Sequence, residues 1–171
     1  MSEKKAEFPK VEWTSTTGLP VTGPFFEGEI TPEILSRLYP LLQFPLPDVA
    51  IQRAYKEQTR KGYDTTGFGY QFLVNRMNEV LGPAYWRPIF NLLKETQGQF
   101  GNPPKPNNTI VVETTIEIGN WKDGEFIPIC RFYGVGSQTG LDWGDTLKGA
   151  QSNSLKKALG FIGVGREAYE G

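Results

Sequence analysis

The sequence predicts a mixed fold of helices and strands, and three patterns lead to this expectation. The segment TIVVETTIEI is rich in β-branched residues and partly alternates, which is typical of a strand. The Asp123-Gly124 pair that follows predicts a hairpin turn, after which IPICRFYGVG supplies the antiparallel partner strand. Between residue 144 and about residue 163, apolar residues recur at helical spacing and predict a closing helix.

Residues 1 to about 44 predict an irregular arm with one helix. They are rich in Pro, Thr and acidic residues and carry a net charge of −2. Thr31 is a candidate N-cap, followed by Pro32 at the first helical position and Glu33 in the first turn. Pro40 is expected to bend or shorten this helix.

The middle of the chain predicts a second helix, a short strand and a loop. Residues 70–81 have the apolar spacing of a helix that ends at Gly82-Pro83. Tyr85 and Trp86 then open a short apolar run that fits a strand. In the next stretch, QGQFGNPPKPNN, three prolines and two glycines predict an irregular loop.

Composition excludes several classes of chemistry. The chain has 171 residues, of which 38% are hydrophobic, so it can bury one sizeable core. It contains no His and a single Cys, Cys130. Ser-His-Asp and Cys-His triads, His-ligated metals, cysteine-rich zinc sites and internal disulfides are therefore excluded within one chain. We expect neither a metal nor another cofactor.

The overall charge balance predicts neither a nucleic-acid nor a membrane partner. Eighteen Lys and Arg stand against 19 Asp and Glu, which gives a formal net charge of −1. Any polyanionic partner must therefore be met by a local patch. The N-terminal residues lack an apolar signal core, and no stretch approaches the roughly 20 apolar residues of a membrane span. A reducing, cytoplasmic compartment is the expectation.

The closing helix has two contrasting sides. One side is apolar and is expected to face the core: Leu147, Leu155, Ala158, Leu159, Phe161 and Ile162. The other side carries small and basic residues: Gly149, Ser152, Asn153, Lys156, Lys157 and Gly160. Lysine supplies positive charge and Ser and Asn supply hydrogen bonds, so this side fits a phosphate backbone. The alternative is that the glycines admit a neighbouring strand or subunit and the lysines are merely solvated.

Two local clusters of basic residues depart from the overall balance. Residues 146–166 carry a charge of +4 without an acidic residue, from Lys148, Lys156, Lys157 and Arg166. Residues 51–63 carry +3, from Arg53, Lys56, Arg60 and Lys61 against Glu57. If the fold places the clusters side by side, they form a groove that follows phosphates; otherwise they are solvated surface. Tyr63 and Phe68 are candidates for base stacking, with core packing as the alternative.

The sequence offers little support for an enzyme. The strings GVGS and GVGRE lack GxGxxG spacing, and no phosphate-loop motif is present. Asp142 with Asp145, and Glu113 with Glu117, leave open metal-assisted cleavage or glycosidase chemistry. Acidic residues that alternate with apolar ones on a hairpin usually form its solvated face. We therefore expect no catalytic residues.

Two strings resemble a known family. GDTLKGAQSNSLKKALGFIGVGREAY is similar to the closing helix of the Rad52-like single-strand annealing proteins, which include phage Sak proteins and bacterial DdrA. The residues that correspond to the family pattern KGAxTxxLKRAxxxFGIGRxxY are Lys148, Gly149, Ala150, Ser152, Leu155, Lys156, Lys157, Ala158, Gly163, Gly165, Arg166 and Tyr169. Upstream, VNRMNEVLGPAYW resembles the family's helix that ends in a G-x-x-x-W turn. The resemblance covers residues 45–171, which we expect to form the annealing domain, and leaves the arm at 1–44 outside it.

The resemblance implies an α+β core of the β-β-β-α type, with an antiparallel sheet packed on helices and protomers assembled into a ring or arc. It implies that single-stranded DNA lies in a basic groove, in which Lys148, Lys156 and Lys157 are groove residues and Arg60 or Lys61 approaches from the first hairpin. The implied function is ATP-independent annealing of complementary strands in homologous recombination or double-strand break repair. A nucleoid-associated bacterial or phage protein is implied, with a recombinase or single-strand binding protein as a further partner.

The sequence departs from the family pattern at two places. Gly160 stands where relatives often carry a basic residue, and SQTGLDWGD is acidic where some relatives are basic. Both departures weigh against a second, outer DNA site. The DNA-binding candidates are Arg53, Lys56, Arg60, Lys61, Lys148, Ser152, Asn153, Lys156, Lys157 and Arg166. Two alternatives remain, a structural oligomer or protein-interaction module built on the glycine-lined helix, and a metal-dependent nuclease that uses Asp142 and Asp145.

Overall fold

A computed structural model describes residues 15–21, 23–57 and 65–167. The elements, in chain order, are α1 (Pro32–Leu42), a 3₁₀ turn (Asp48–Ala50), β1 (Ile51–Ala54), β2 (Thr65–Phe68), α2 (Tyr70–Val80), β3 (Trp86–Phe100), β4 (Lys105–Lys122), β5 (Glu125–Gly140) and α3 (Trp143–Ile162). β1 and β2 form an antiparallel hairpin, and β3, β4 and β5 form a three-stranded antiparallel sheet in that order. The predicted α+β class, with antiparallel strands packed on helices, is confirmed.

The predicted hairpin between β4 and β5 is confirmed and is longer than expected. Asp123 and Gly124 both have positive φ, +52° and +82°, which is the backbone of a two-residue type I′ turn. Lys122 pairs with Glu125 across this turn, and the pairing extends to Asn108 opposite Gly140. The twist of such a turn matches that of the flanking strands, so these two residues set the register of the hairpin up to the shift between Ile118 and Gly119.

The prediction of an irregular loop at residues 97–108 is wrong, because β3 and β4 continue through most of this segment. β3 runs to Phe100 and β4 begins at Lys105, which leaves a four-residue turn between them. Cross-strand pairing here outweighs the local preference of the prolines and glycines. Pro106 is tolerated because the pairing of β4 with β5 begins only at Asn108, so β4 has one neighbour at this point. The short strand predicted at Trp86 is 15 residues long.

The helix ends follow local capping chemistry. Thr31 caps α1 as predicted, since its Oγ1 accepts a hydrogen bond of 3.2 Å from a backbone N–H three residues on. α1 continues for two residues past Pro40. α2 ends as predicted just before Gly82, whose φ is +82°. Asp142 caps α3 by accepting a hydrogen bond of 2.8 Å from the N–H of Asp145, which places Asp145 in the first turn.

No helix in the described residues is both long and apolar enough to cross a membrane.

The backbone of β5 packs closely against that of α3. A Cβ on Gly136 would lie 2.6 Å from the carbonyl carbon of Asn153, and a Cβ on Gly134 would lie 2.5 Å from the carbonyl oxygen of Ser154 and 2.9 Å from Cα of Ala158. Only glycine permits two backbones to approach this closely. The glycines that the sequence shows in GVGS therefore serve helix packing.

The inner side of α3 contacts both the sheet and the other helices. Leu155, Leu159 and Ile162 are buried in the same core as residues of α1 and α2. Full burial of such a side chain contributes about 1.5–3 kcal/mol relative to its exposed state. Towards β4, Ser154 shares a buried hydrogen bond of 2.5 Å with Thr114. These contacts fix the rotation of α3 about its own axis, and hence which residues face outward.

The arm is attached to the rest of the fold through buried Arg76 of α2. Its guanidinium donates hydrogen bonds to Oγ1 of Thr17 at 3.0 Å and to the carbonyl oxygen of Thr17 at 2.9 Å. It also donates to four carbonyl oxygens at the C-terminal end of α1 and just beyond it, those of Leu41, Leu42, Phe44 and Pro45. Burial lowers the pKa of Arg76, while nearby Glu79 opposes that effect. A guanidinium remains protonated in proteins, so Arg76 neutralises the carbonyl end of α1.

Two further contacts bind the arm to the core. Burial raises the pKa of Glu79, but hydrogen bonds from Thr16, Thr17 and Ser15 outweigh it and hold the pKa below its usual value. Asn120 of β4 exchanges two hydrogen bonds of 2.7 and 2.9 Å with the backbone of Ile30. Residues from 15–44 thus contribute to the same core as the later elements, and a domain boundary near residue 44 stays a prediction.

The outer face of the sheet carries an ion-pair cluster that crosses all three strands. Glu117 lies opposite Arg87 on β3 and Arg131 on β5, and it accepts hydrogen bonds of 2.8 and 2.7 Å from their guanidinium groups. The hydrogen bond from Arg131 is the main cause that holds the pKa of Glu117 below its usual range, and Arg87 adds to it against the effect of burial. Glu117 therefore stabilises the strand register. It does not belong to the solvated face that was expected for acidic residues of this hairpin.

Gly136→Ala tests the contact between β5 and α3. The new methyl group would overlap backbone atoms of two α3 residues, so we expect the free energy of unfolding to fall by about 1–3 kcal/mol. Gly67→Ala in β2 is the matched control, because nothing lies within 4 Å of a Cβ at that position. Urea denaturation of both variants measures the difference. Equal stability of the two variants would contradict a close contact at Gly136.

Candidate nucleic-acid interface

The outward side of α3 carries its basic residues in two neighbouring rows, since residues four apart lie above one another on a helix. The Lys156 row consists of Lys148, Ser152, Lys156 and Gly160, and the Lys157 row consists of Gly149, Asn153, Lys157 and Phe161. The Lys157 row lies nearer β5, because Gly149 and Asn153 contact that strand. We call the two rows together the basic face of α3.

Lys156 is the residue of this face whose charge is least solvated. It is half-buried, and burial lowers the pKa of its ammonium group. Lys148 and Lys157 are exposed. Within residues 15–21, 23–57 and 65–167, none of these three lysines forms an ion pair with a carboxylate. The basic face therefore presents three positive charges, one of them partly desolvated, that the described fold leaves uncompensated.

Asn153 and Gly149 serve the contact with β5. The amide nitrogen of Asn153 donates to the carbonyl oxygen of Ser137 at 3.0 Å and to Oε1 of Gln138 at 3.3 Å. A Cβ on Gly149 would lie 2.9 Å from the side chain of Gln138. Gly149 thus admits a neighbouring strand, which was one of the two interpretations of the sequence. A phosphate contact by Asn153 or by half-exposed Ser152 stays a prediction.

The second basic cluster is only partly described. Arg53 lies exposed on β1, and Lys56, just after the strand, is 4.0 Å from a carboxylate oxygen of Glu57. Arg60 and Lys61 lie outside the described residues. The groove predicted between the two clusters therefore stays a prediction.

The base of the β1–β2 hairpin does reach the turn that follows α3. A Cβ on Gly165 would lie 2.9 Å from the side chains of Phe68 and Leu73, and Arg166 next to it is exposed. Phe68 is 4% exposed, so it packs in the core as the alternative interpretation predicted and does not offer a ring for base stacking. Tyr63, the other stacking candidate, lies outside the described residues.

Two of the four acidic residues considered for catalysis have structural roles. Asp142 caps α3, and Glu117 is held between two arginines. In the part of the chain that the structure describes, no three Asp, Glu or Cys residues come together as a potential metal site. The geometry of these carboxylates gives no support to metal-assisted cleavage by Asp142 and Asp145.

Helical periodicity assigned Phe161 to the core, and this assignment is wrong. Its side chain is 74% exposed, in the last turn of α3. The glycine-mediated contact of α3 with β5 reaches Ala158, which lies against Gly134, so Phe161 lies about one turn beyond it. A projection of the helix shows the direction of a side chain but not where the neighbouring strand ends, so the sequence carried no signal for this exposure.

Comparison with known proteins does not identify a family. No protein-family model matches the chain, and no curated protein matches it in sequence. The likeness to the Rad52-like annealing proteins therefore rests on the quoted motif residues alone and stays a prediction.

Lys156→Met tests whether the fold itself needs the charge at this position. Methionine keeps an unbranched apolar stem, so removal of the partly desolvated charge is expected to leave the free energy of unfolding unchanged or to raise it. The folded-state pKa of Lys156 lies below the unfolded one, so any gain is present near pH 7 and disappears above about pH 11, where both states are neutral. Thermal unfolding of both proteins across this pH range measures the effect.

Exposed Lys157→Met is the control, with an expected change within about ±0.5 kcal/mol. A loss of stability in Lys156→Met well beyond that range would mean that the ammonium group has a stabilising partner, and would remove it from the set of uncompensated charges.

Proposed function

We propose that the chain binds single-stranded DNA through the basic face of α3 and accelerates the annealing of complementary strands without ATP. The observation that carries the proposal is the ammonium group of half-buried Lys156, which forms no ion pair within the described residues and has exposed Lys148 and Lys157 on the same helix. A positive charge that is partly removed from water is stabilised strongly when an anion binds beside it. Phosphates are the anions that occur at regular spacing along an extended polymer.

The chemistry of the face suits recognition of a strand by its backbone. Lysines neutralise phosphates without reading sequence, since contacts to phosphate oxygens carry no base information. A strand held in this way keeps the pairing edges of its bases free for a complementary strand. Annealing forms and breaks no covalent bond, so it requires no nucleophile, acid or base, and it is compatible with a chain that contains no His.

In the same proposal, several protomers place their basic faces in one ring or arc, so that the strand passes from one protomer to the next. The proposal assigns Arg53, Lys56, Arg60 and Lys61 to the opposite side of the groove, and Arg166 to its end. The order of three antiparallel strands followed by α3 agrees with the arrangement that the family resemblance implies. Homologous recombination or double-strand break repair is the process in which such an activity is used.

A protein-interaction module is the second candidate, because β3 exposes apolar side chains. Ile89, Phe90, Leu92 and Leu93 are 37–52% exposed, while α3 packs against β4 and β5. Exposed apolar side chains on an edge strand are a typical feature of interaction surfaces. On this interpretation the lysines of α3 are solvated and the chain binds no nucleic acid.

The triple variant Lys148→Ala, Lys156→Ala, Lys157→Ala separates the two candidates. We expect the wild type to accelerate annealing of two labelled complementary oligonucleotides without ATP, and less so as salt rises. The triple variant removes up to three phosphate contacts. The slope of log affinity for single-stranded DNA against log salt should therefore become shallower by about 2, at about 0.7 for each contact. Stopped-flow annealing and anisotropy at several salt concentrations measure both effects.

The control removes the same charge from the sheet, with Lys94→Ala, Lys105→Ala and Lys122→Ala, all at exposed positions. We expect the annealing rate of this variant, and its slope of log affinity against log salt, to stay close to those of the wild type. Equal losses in both triple variants would show that net charge alone governs binding. Absence of binding and acceleration by the wild type at low salt would leave the interaction module as the function.

A further inference from the structure

Phe161 has the most exposed aromatic side chain in the described part of the chain, at 74%. It lies one residue before the end of α3 and is not among the residues that pack in or against the core. Phenylalanine is a weaker helix former than leucine or alanine, so helix propensity does not explain its presence at a solvated position. The fold therefore gains little from a phenyl ring here.

The position of the ring relative to the lysines is specific. Phe161 ends the Lys157 row, four residues and about 6 Å of helix rise beyond Lys157. Its neighbour in the Lys156 row is Gly160, which has no side chain that could cover the ring. α3 then ends at Gly163, where φ is +89°, and the chain turns away. An open aromatic face thus lies one helical turn beyond Lys157, whose ammonium group forms no ion pair within the described residues.

An aromatic ring beside phosphate-binding lysines is the arrangement that single-strand binders use. The base and the phosphate of one nucleotide are linked through the sugar, so a phosphate held at Lys157 keeps a base within reach of the next helical turn. Every base has a π-face, so stacking on an aromatic side chain tolerates any sequence. An exposed aliphatic side chain would provide contact area without the preference for parallel ring stacking.

We propose that Phe161 stacks against a base of the single strand whose phosphates are held by Lys156 and Lys157. This inference rests on the proposed function and adds to it a contact with the bases, which charge alone does not provide. The stacked base is held near the end of each α3, so the contact favours unpaired strands over duplex, whose bases are stacked on each other. The ligand class is any single-stranded nucleic acid with intact bases.

Phe161→Ala, with two probes of equal length and charge, tests the inference. One probe is oligothymidylate, and the other is an abasic strand with the same phosphodiester backbone. We expect Phe161→Ala to weaken binding of oligothymidylate at least fivefold while binding of the abasic strand stays unchanged. The salt slope should be the same as that of the wild type, because no charge is removed. Phe161→Trp should restore the affinity, and its added fluorescence should be quenched by oligothymidylate alone.

Phe100→Ala is the matched control, since it removes another exposed phenyl ring, 58% exposed at the far end of β3. We expect its affinity for both probes to equal that of the wild type. An unchanged affinity of Phe161→Ala for oligothymidylate would overturn the inference, and so would equal losses for both probes or a changed oligomer size. If the lysine variants still lose binding in that case, the proposed function stands without the stacking contact. A wild type that binds neither probe would overturn both.

Discussion

The backbone contact between β5 and α3 is the constraint on which the rest of the structure depends. Gly134 and Gly136 let the helix lie directly on the strand, since any side chain at these positions would overlap the backbone of α3. The same contact turns Ser154 towards Thr114 in the sheet, and Lys156 therefore faces away from it. The position of the basic face is thus a consequence of two residues without side chains on a neighbouring strand.

A second constraint comes from α2, which joins the arm to the core. Arg76 is fully buried, and its donors are satisfied by the carbonyl end of α1 and by Thr17. Removal of one member of such a buried set leaves the others unpaired, at a cost of several kcal/mol. Ile30 is held in the same manner by Asn120 of β4. The described part of the arm, residues 15–21 and 23–44, is therefore a structural part of the fold.

Features set by local chemistry could be predicted from the sequence, and features set by distant pairing could not. Thr31, Gly82 and the Asp123-Gly124 turn act on their immediate neighbours, and all were predicted correctly. The loop at residues 97–108 was wrong, because strand pairing outweighed its prolines. The charge partners of Glu117 depend on a register across three strands. On α3, periodicity correctly assigned Lys156 to the outward side, but it misplaced Phe161, whose exposure depends on where the contact with β5 ends.

The central claim is that a nucleic-acid strand occupies the basic face of α3, and chemical footprinting of lysines tests it most directly. An acylating reagent modifies neutral amines, so a bound phosphate, which raises the pKa of a lysine, protects it. With saturating single-stranded DNA, the account predicts protection of Lys148, Lys156 and Lys157, measured by mass spectrometry, while Lys94, Lys105 and Lys122 on the sheet keep their reactivity. Unchanged reactivity of the α3 lysines, with protection on the sheet, would contradict it.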